Sequence, residues 1–225
     1  MKKYLYIFLL LLVVSTLLYA AETKDVAIIL KYRGDVKIGM DEPVKWQDAQ
    51  KAMRLNSGNI IRTRDDGYAA IMFSDDKSLL KVRENSLVAI GGIRDKASIT
   101  KRLRCNLGEI WVKVAKQQSA FEVETPSGMA TVKGTEFYEI VERNSRSIII
   151  CIEGSILFAN KLGDVLVKAG ETGEATPDSA PKKHKTQSDE IPTWARDGGD
   201  TGKLEFEFED VDGKKKLIKI DYDNN

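Results

Sequence analysis

Phe121-Glu122-Val123-Glu124-Thr125-Pro126-Ser127-Gly128-Met129-Ala130-Thr131-Val132-Lys133-Gly134-Thr135-Glu136-Phe137-Tyr138-Glu139-Ile140 is the stretch on which the fold turns. Phe121 and Val123 alternate with acids, and Ala130 and Val132 alternate with polar residues. Period-two alternation puts apolar side chains on one face of a strand, and Pro with Gly in the gap reverses the chain. The stretch therefore predicts a hairpin around Thr125-Pro126-Ser127-Gly128. A break at Gly134-Thr135 precedes a further strand through Phe137 and Ile140.

Short strands extend outward from it in both directions. Towards the N-terminus they are Val26 to Leu30, Val36 to Ile38, Ile60 to Thr63, Tyr68 to Phe73, Leu79 to Val82, Leu87 to Ile90 and Glu109 to Val114. In the last of these, Ile110, Val112 and Val114 share one face and Trp111 takes the other. Towards the C-terminus lie Ser147 to Ile152, the most apolar strand, then Ile156 to Ala159 and Val165 to Val167. Asp48 to Leu55 is the one helical candidate, and Gly91 to Arg102 reads as an irregular connection. Gly, a polar residue and a β-branched residue recur at Gly34, Gly58, Gly108, Gly154 and Gly163, without a fixed period. Short strands with turns every eight to twelve residues or so predict an all-β fold, a twisted β-sandwich or a solenoid-like stack. Parallel βαβ architecture is excluded because helices are all but missing.

The ends differ from the middle. Lys2-Lys3, the apolar run Tyr4 to Leu18 and then Ala20-Ala21 follow the plan of a secretory signal peptide over residues 1–21, with an uncleaved membrane anchor as the alternative. From Ala175 the chain turns polar, with three of its five Pro and its one His. Residues 175–203 read as an irregular linker in which Trp194 is an isolated docking candidate, and 204–223 as a C-terminal hairpin. Glu205, Glu207 and Glu209 lie on one strand of that hairpin, with lysines on or near the other. The main β domain spans 26–174.

With 35 Lys+Arg against 34 Asp+Glu, the chain has no basic excess to draw nucleic acid. Cys105 and Cys151 sit in strand contexts, either as small buried apolar residues or, in an oxidising compartment, as a disulfide. Two Cys and one His offer no zinc spacing. Ser127 has no His in the domain to activate it, and His184 sits among lysines in the tail. Asp65-Asp66 and Asp75-Asp76 are turn formers; as oxygen donors to Ca2+ they lack any EF-hand spacing. No catalytic, cofactor-binding or metal-binding residue is assigned, and no enzyme is expected.

The words Phe-x-Val-x-Thr-Pro-x-Gly (121–128) and Val-x-Gly-Thr-x-Phe (132–137) resemble the signature of the FecR domain, a bacterial envelope module. Gly58 to Thr63, Asp66 to Ala69, Glu84-Asn85-Ser86, Leu107 to Ile110, Glu153-Gly154 and Ala169-Gly170-Glu171 follow in the family's order. Asp75-Asp76-Lys77-Ser78 departs from it, because the family favours Gly where Lys77 stands, and Lys there implies a less strained turn. These words are turn and core positions rather than an active site. The resemblance implies a periplasmic or secreted binding module, or an inner-membrane-anchored one if the first segment is uncut. Its partners would be envelope proteins or cell-wall polymer, with no cofactor. Family regulators carry a cytoplasmic anti-sigma segment ahead of the membrane span. Only Met1 to Lys3 precede the apolar run here, so an anti-sigma role is not expected.

Overall fold

The computed structural model describes residues 25–40, 42–95, 98–116, 120–195, 202–209 and 215–222. The apolar N-terminal run lies outside them. Alternation produces strands wherever it occurs: β1 (Ala27–Arg33), β2 (Val36–Met40), β3 (Lys45–Asp48), β4 (Arg54–Leu55), β5 (Ile60–Thr63), β6 (Tyr68–Phe73), β7 (Leu79–Val82), β8 (Leu87–Asp95) and β9 (Ser98–Lys113). They continue as β10 (Phe121–Thr125), β11 (Gly128–Val132), β12 (Glu136–Val141), β13 (Ser147–Glu153), β14 (Ser155–Asn160), β15 (Gly163–Lys168), β16 (Glu171–Ala175) and β17 (Lys182–Lys185). There is no helix among the described residues.

The seventeen strands form two layers that share β9. Sheet I runs β4-β1-β6-β7-β9-β12-β13-β16-β17. Sheet II runs β3-β2-β5-β8-β9-β10-β11-β14-β15. The chain lays one or two strands in one sheet, crosses, and lays the next in the other, so both sheets grow in one direction. The fold is thus a sandwich with a solenoid-like course. Among the described residues every pairing is antiparallel except β9 with β10, where Phe121 faces Lys101.

β9 changes sheets at Gly108. Leu107 pairs with Leu87 in sheet II, and Gly108 with Val141 in sheet I. Gly108 has φ of 100°, and a Cβ there would overlap Ser86. Only glycine tolerates both the angle and the approach. Gly34, Gly58 and Gly154 also have positive φ (64°, 97° and 87°), and a strand opens just after each.

The inner faces of the two sheets meet in one core. Ile29, Leu80, Val112 and Phe137 of sheet I pack with Ile38, Ile61, Val88, Phe121, Val123 and Phe158 of sheet II. The rings of Phe73 and Phe121 meet edge-on across the layers at 5.5 Å. Each such side chain, fully buried, is worth about 1.5–3 kcal/mol. The decisive hairpin forms as read: Phe121 faces Val132, and Thr125 faces Gly128 across the Pro126-Ser127 loop.

Four expectations change. Asp48 to Leu55 is not helical but a corner between β3 and β4. Ala52 N bonds to the Ile29 carbonyl (2.8 Å) and Ile29 N to the Met53 carbonyl (2.9 Å), so β1 takes the groups a helix would use. Gly91 to Arg102 is not irregular but the long β8–β9 hairpin, in register to Asp95 and Ser98. Within 175–203, β17 extends sheet I by pairing with β16. The Lys77 turn is not relaxed either: Lys77 has φ of 62°, in the left-handed region that glycine favours. An L-residue there costs about 1–2 kcal/mol, against about 0.5–1 kcal/mol of extra chain entropy for glycine. Lys77→Gly is therefore expected to stabilise the fold by about 0.5–1 kcal/mol. A urea midpoint at or below that of the parent would refute this.

The C-terminal hairpin appears as a separate two-stranded sheet, β18 (Gly202–Glu209) with β19 (Lys215–Tyr222). Its register places Glu205 opposite Lys219 and Glu209 opposite Lys215. Its connecting turn lies outside the described residues.

Candidate interaction face

The outer face of sheet I follows from the same alternation, one residue out of phase with the core. One row crosses it strand by strand: Lys31, Ala70, Lys81, Trp111, Tyr138, Ile150, Thr172 and His184. Trp111 lies on this face, opposite Ile110 and Val112, as its phase predicts. Ile148, Ile150 and Ile152 of β13 point here while Ile149 and Cys151 point into the core. This explains why β13 is apolar on both sides.

A strap covers the row. Beyond β17 the chain bonds back to the sheet through Thr186 N to the Gly170 carbonyl (2.9 Å). Thr172 contacts the Thr186 hydroxyl at 2.9 Å and donates to Glu190 at 3.2 Å. Ile191, Trp194 and Ala195 then pack on Trp111, Tyr138 and the β13 isoleucines. The Trp194 ring meets Tyr138 edge-on at 6.0 Å and Tyr68 at 6.4 Å. Its indole N–H donates to Glu109 Oε1 at 2.6 Å, while Arg83 holds the other carboxylate oxygen at 2.8 Å. Lys81 donates to the Ala195 carbonyl at 2.6 Å and lies 4.8 Å over the Trp111 ring.

Electrostatics follow from this cover. Burial lowers the Lys81 pKa, with Lys31 acting the same way and Glu136 opposing. Burial pushes the Tyr68 hydroxyl up to about 12, against the pull of Arg33. The face thus combines flat aromatic rings, one carboxylate set to accept an N–H, and one cation set to meet a main-chain carbonyl. That is the chemistry by which the face holds the strap.

The residues singled out in the sequence have other duties. Ser127 is buried; its hydroxyl donates to the Ser145 carbonyl, and Asn160 caps the Ser127 carbonyl at 3.1 Å. His184 Nε2 lies 2.8 Å from Glu190 Oε1, which anchors the strap. Asp66 accepts Asp35 N at 3.0 Å in a turn, and Asp65 is exposed beside it. Asp75 and Asp76 are 2.8 and 2.9 Å from Lys101, whose side chain is 0 % exposed, so they are ion-pair partners rather than open oxygen donors. Among the described residues no three His, Cys, Asp or Glu side chains cluster to hold a metal.

Cys105 and Cys151 are free thiols in the core. Burial raises both, Cys151 to about 11 and Cys105 beyond that range, with Glu139 adding to Cys105. Neither is expected to react with a thiol reagent until the protein unfolds. Stoichiometric labelling of the native protein within minutes would contradict this.

Two buried ionisable residues, Lys101 and Glu139, are not evident from the sequence. Lys101 shares a face with Ile99, Leu103 and Cys105, a signal hidden once that stretch is read as irregular. Glu139 shares one with Phe137 and Val141, but Tyr138 and Ile140 are equally apolar, so the phase of β12 stays open in the sequence.

The FecR protein family model matches residues 47–157, just under half of the chain. The match holds the residues of the face from Tyr68 to Ile150 and ends before the strap. No curated protein matches the chain. Two crystal structures of a candidate anti-sigma factor from Parabacteroides distasonis ATCC 8503 share its fold. One, at 2.50 Å resolution, has a TM-score of 0.53 at 12% identity over 65% of this chain. The other, at 1.65 Å, has a TM-score of 0.51 at 12% identity over 68% of it. This chain spans 66% and 70% of those chains, a little under two thirds of the first. At such identity the likeness is one of fold.

Proposed function

We propose, from the premise that residues 47–157 are a FecR domain, that this chain is an exported interaction module of the bacterial cell envelope and not an enzyme. The observation that carries the reading is the outer face of sheet I. It presents Trp111, Tyr138 and the β13 isoleucines to a single strap of chain held by an indole and a carbonyl. A surface of that kind suits a segment of chain. Ser127 and His184, the side chains of catalytic type, are committed to the Ser145 carbonyl and to Glu190. The apolar run Tyr4 to Leu18 behind Lys2-Lys3 supports export. In the envelope the module would engage a protein partner, with cell-wall polymer as the second class of ligand.

The test is the N-terminal mass of the native protein in fractionated cells, followed by crosslinked pull-down from the fraction that holds it. A chain beginning near Ala21 or Glu22 in the soluble envelope fraction is expected. An intact N-terminus in the inner membrane would make it a tethered module of the same kind. Unprocessed protein in the cytosol would end the envelope reading, and hydrolysis of peptidoglycan by the purified chain would end the non-enzymatic one.

A further inference from the structure

We propose that the outer face of sheet I is a receptor face for a Trp-bearing segment of a partner protein, and that residues 186–195 are its built-in competitor. The inference deepens the interaction role argued above and rests on it.

Three observations lead there. First, the Trp194-Ala195 end of the strap is held by contacts that do not depend on its being part of the same chain. They are the Trp194 indole N–H on Glu109 (2.6 Å), the Ala195 main-chain carbonyl on Lys81 (2.6 Å), and edge-on ring contacts with Tyr68 and Tyr138. Any segment presenting an indole followed by a small residue can make all of them. Second, the charged groups of the face keep partners when the strap lifts, so the cost of opening is the apolar area of Trp111, Tyr138 and Ile150 returned to water. Glu109 keeps its ion pair with Arg83 at 2.8 Å when the indole leaves, and Lys81 gains water in place of a carbonyl. No charge is stranded by opening, so release lacks the usual penalty of an orphaned buried group. Third, Tyr68, Lys81, Glu109 and Tyr138, which hold Trp194 and Ala195, lie inside the matched range 47–157 while the strap lies wholly beyond it. The receptor is built by the domain, and its occupant is supplied from the segment that follows.

A tethered occupant acts at an effective concentration of about 1 mM. If the strap sequence binds the open face with a dissociation constant of about 100 μM, any free segment binds the closed protein roughly tenfold more weakly than the open one. Partner binding would be set by the balance between strap and partner, with Trp194 as the shared anchor.

The probe is a fluorescent synthetic peptide of sequence TQSDEIPTWA, matching residues 186–195, titrated by anisotropy into the full chain and into its Trp194→Ala variant. The variant is expected to bind saturably, the parent about tenfold more weakly, and a peptide with Ala for Trp not at all. Equal binding to both proteins, or none to a variant that still melts cooperatively, would overturn the proposal. Should Trp194→Ala fail to fold, hydrogen exchange on the parent decides. The amides of Thr186, Gln187 and Glu190, bonded within the strap and to its anchor, are expected to exchange by local opening, faster than those of β12 and β13. Exchange of strap and core at one common rate would refute release. A parent dimer that Trp194→Ala turns monomeric would assign the face to a second copy and overturn the external partner. A failed titration leaves N-terminal processing and envelope fractionation, the tests of the broader role, untouched.

Discussion

Lys101→Met is expected to destabilise the fold by about 3–5 kcal/mol, the cost of removing one partner from a buried ionic network. The Lys101 side chain is 0 % exposed and Asp75 and Asp76 beside it are 2 % and 12 % exposed. Its ammonium lies 2.8 Å from Asp75 Oδ2 and 2.9 Å from Asp76 Oδ2, with the Phe73 ring 5.5 Å away. The same Asp75 oxygen accepts Ile99 N at 2.8 Å, and Asp76 bonds both the amide and the hydroxyl of Ser78. The triad therefore ties the β6–β7 turn of sheet I to β9 in sheet II. Without Lys101 two carboxylates stay buried with their charge uncompensated. A domain stable by about 5–15 kcal/mol loses a large share of its margin in that one change. Neutralising the survivors, in Lys101→Met with Asp75→Asn and Asp76→Asn, is expected to restore much of the loss. Urea unfolding measures both. A Lys101→Met variant within about 1 kcal/mol of the parent would contradict the account, since that is the worth of an exposed pair.

Glu139→Met is expected to act in the opposite direction. Glu139 projects between the sheets, is 0 % exposed, and neither carboxylate oxygen has a hydrogen-bond partner. Burial holds its pKa well above the ordinary carboxylate value. The folded carboxyl keeps its proton where the unfolded one, at about 4.3, has released it. Between those two values the folded state binds more protons than the unfolded state, so its stability falls as pH rises. The slope from this single group reaches about 1.4 kcal/mol per pH unit. Below the unfolded pKa the cost is only that of a neutral polar group without partners, about 1–3 kcal/mol. Methionine, of similar length and without polar atoms, removes both costs. The variant should be the more stable at every pH, by a margin that widens from pH 4 upwards. Parallel stability curves for variant and parent between pH 5 and 8 would show that Glu139 is not buried as a neutral acid.

Both residues show where sequence reading stops. Alternation fixed β10 with its faces, because Phe121 and Val123 alternate with Glu122 and Glu124, so a single phase buries the right atoms. The turn residues were equally legible. Gly34, Gly58 and Gly108 mark positions where φ is positive, and those constraints are local. The FecR words rest on the same local chemistry, which is why they identify a fold and not a site.

The remainder depended on residues distant in sequence. β12 and β13 are apolar on both faces because one face meets the core and the other the strap, and no pattern within either strand says which is which. Glu139 was hidden by that ambiguity. Asp48 to Leu55 has residues suited to a helix, yet its backbone groups are claimed by β1, and tertiary pairing outweighs a weak local preference. Lys101 looks like any surface lysine until the β6–β7 turn brings two aspartates to it. Trp194 sits in a polar tail whose composition says linker, and only the sheet I face gives its ring partners and its N–H an acceptor. Local patterns set strands, turns and the two-layer class through short-range sterics and burial. The pairing of buried charges, the phase of doubly apolar strands and the seat of the strap are contacts between distant residues, and only the assembled sandwich decides them.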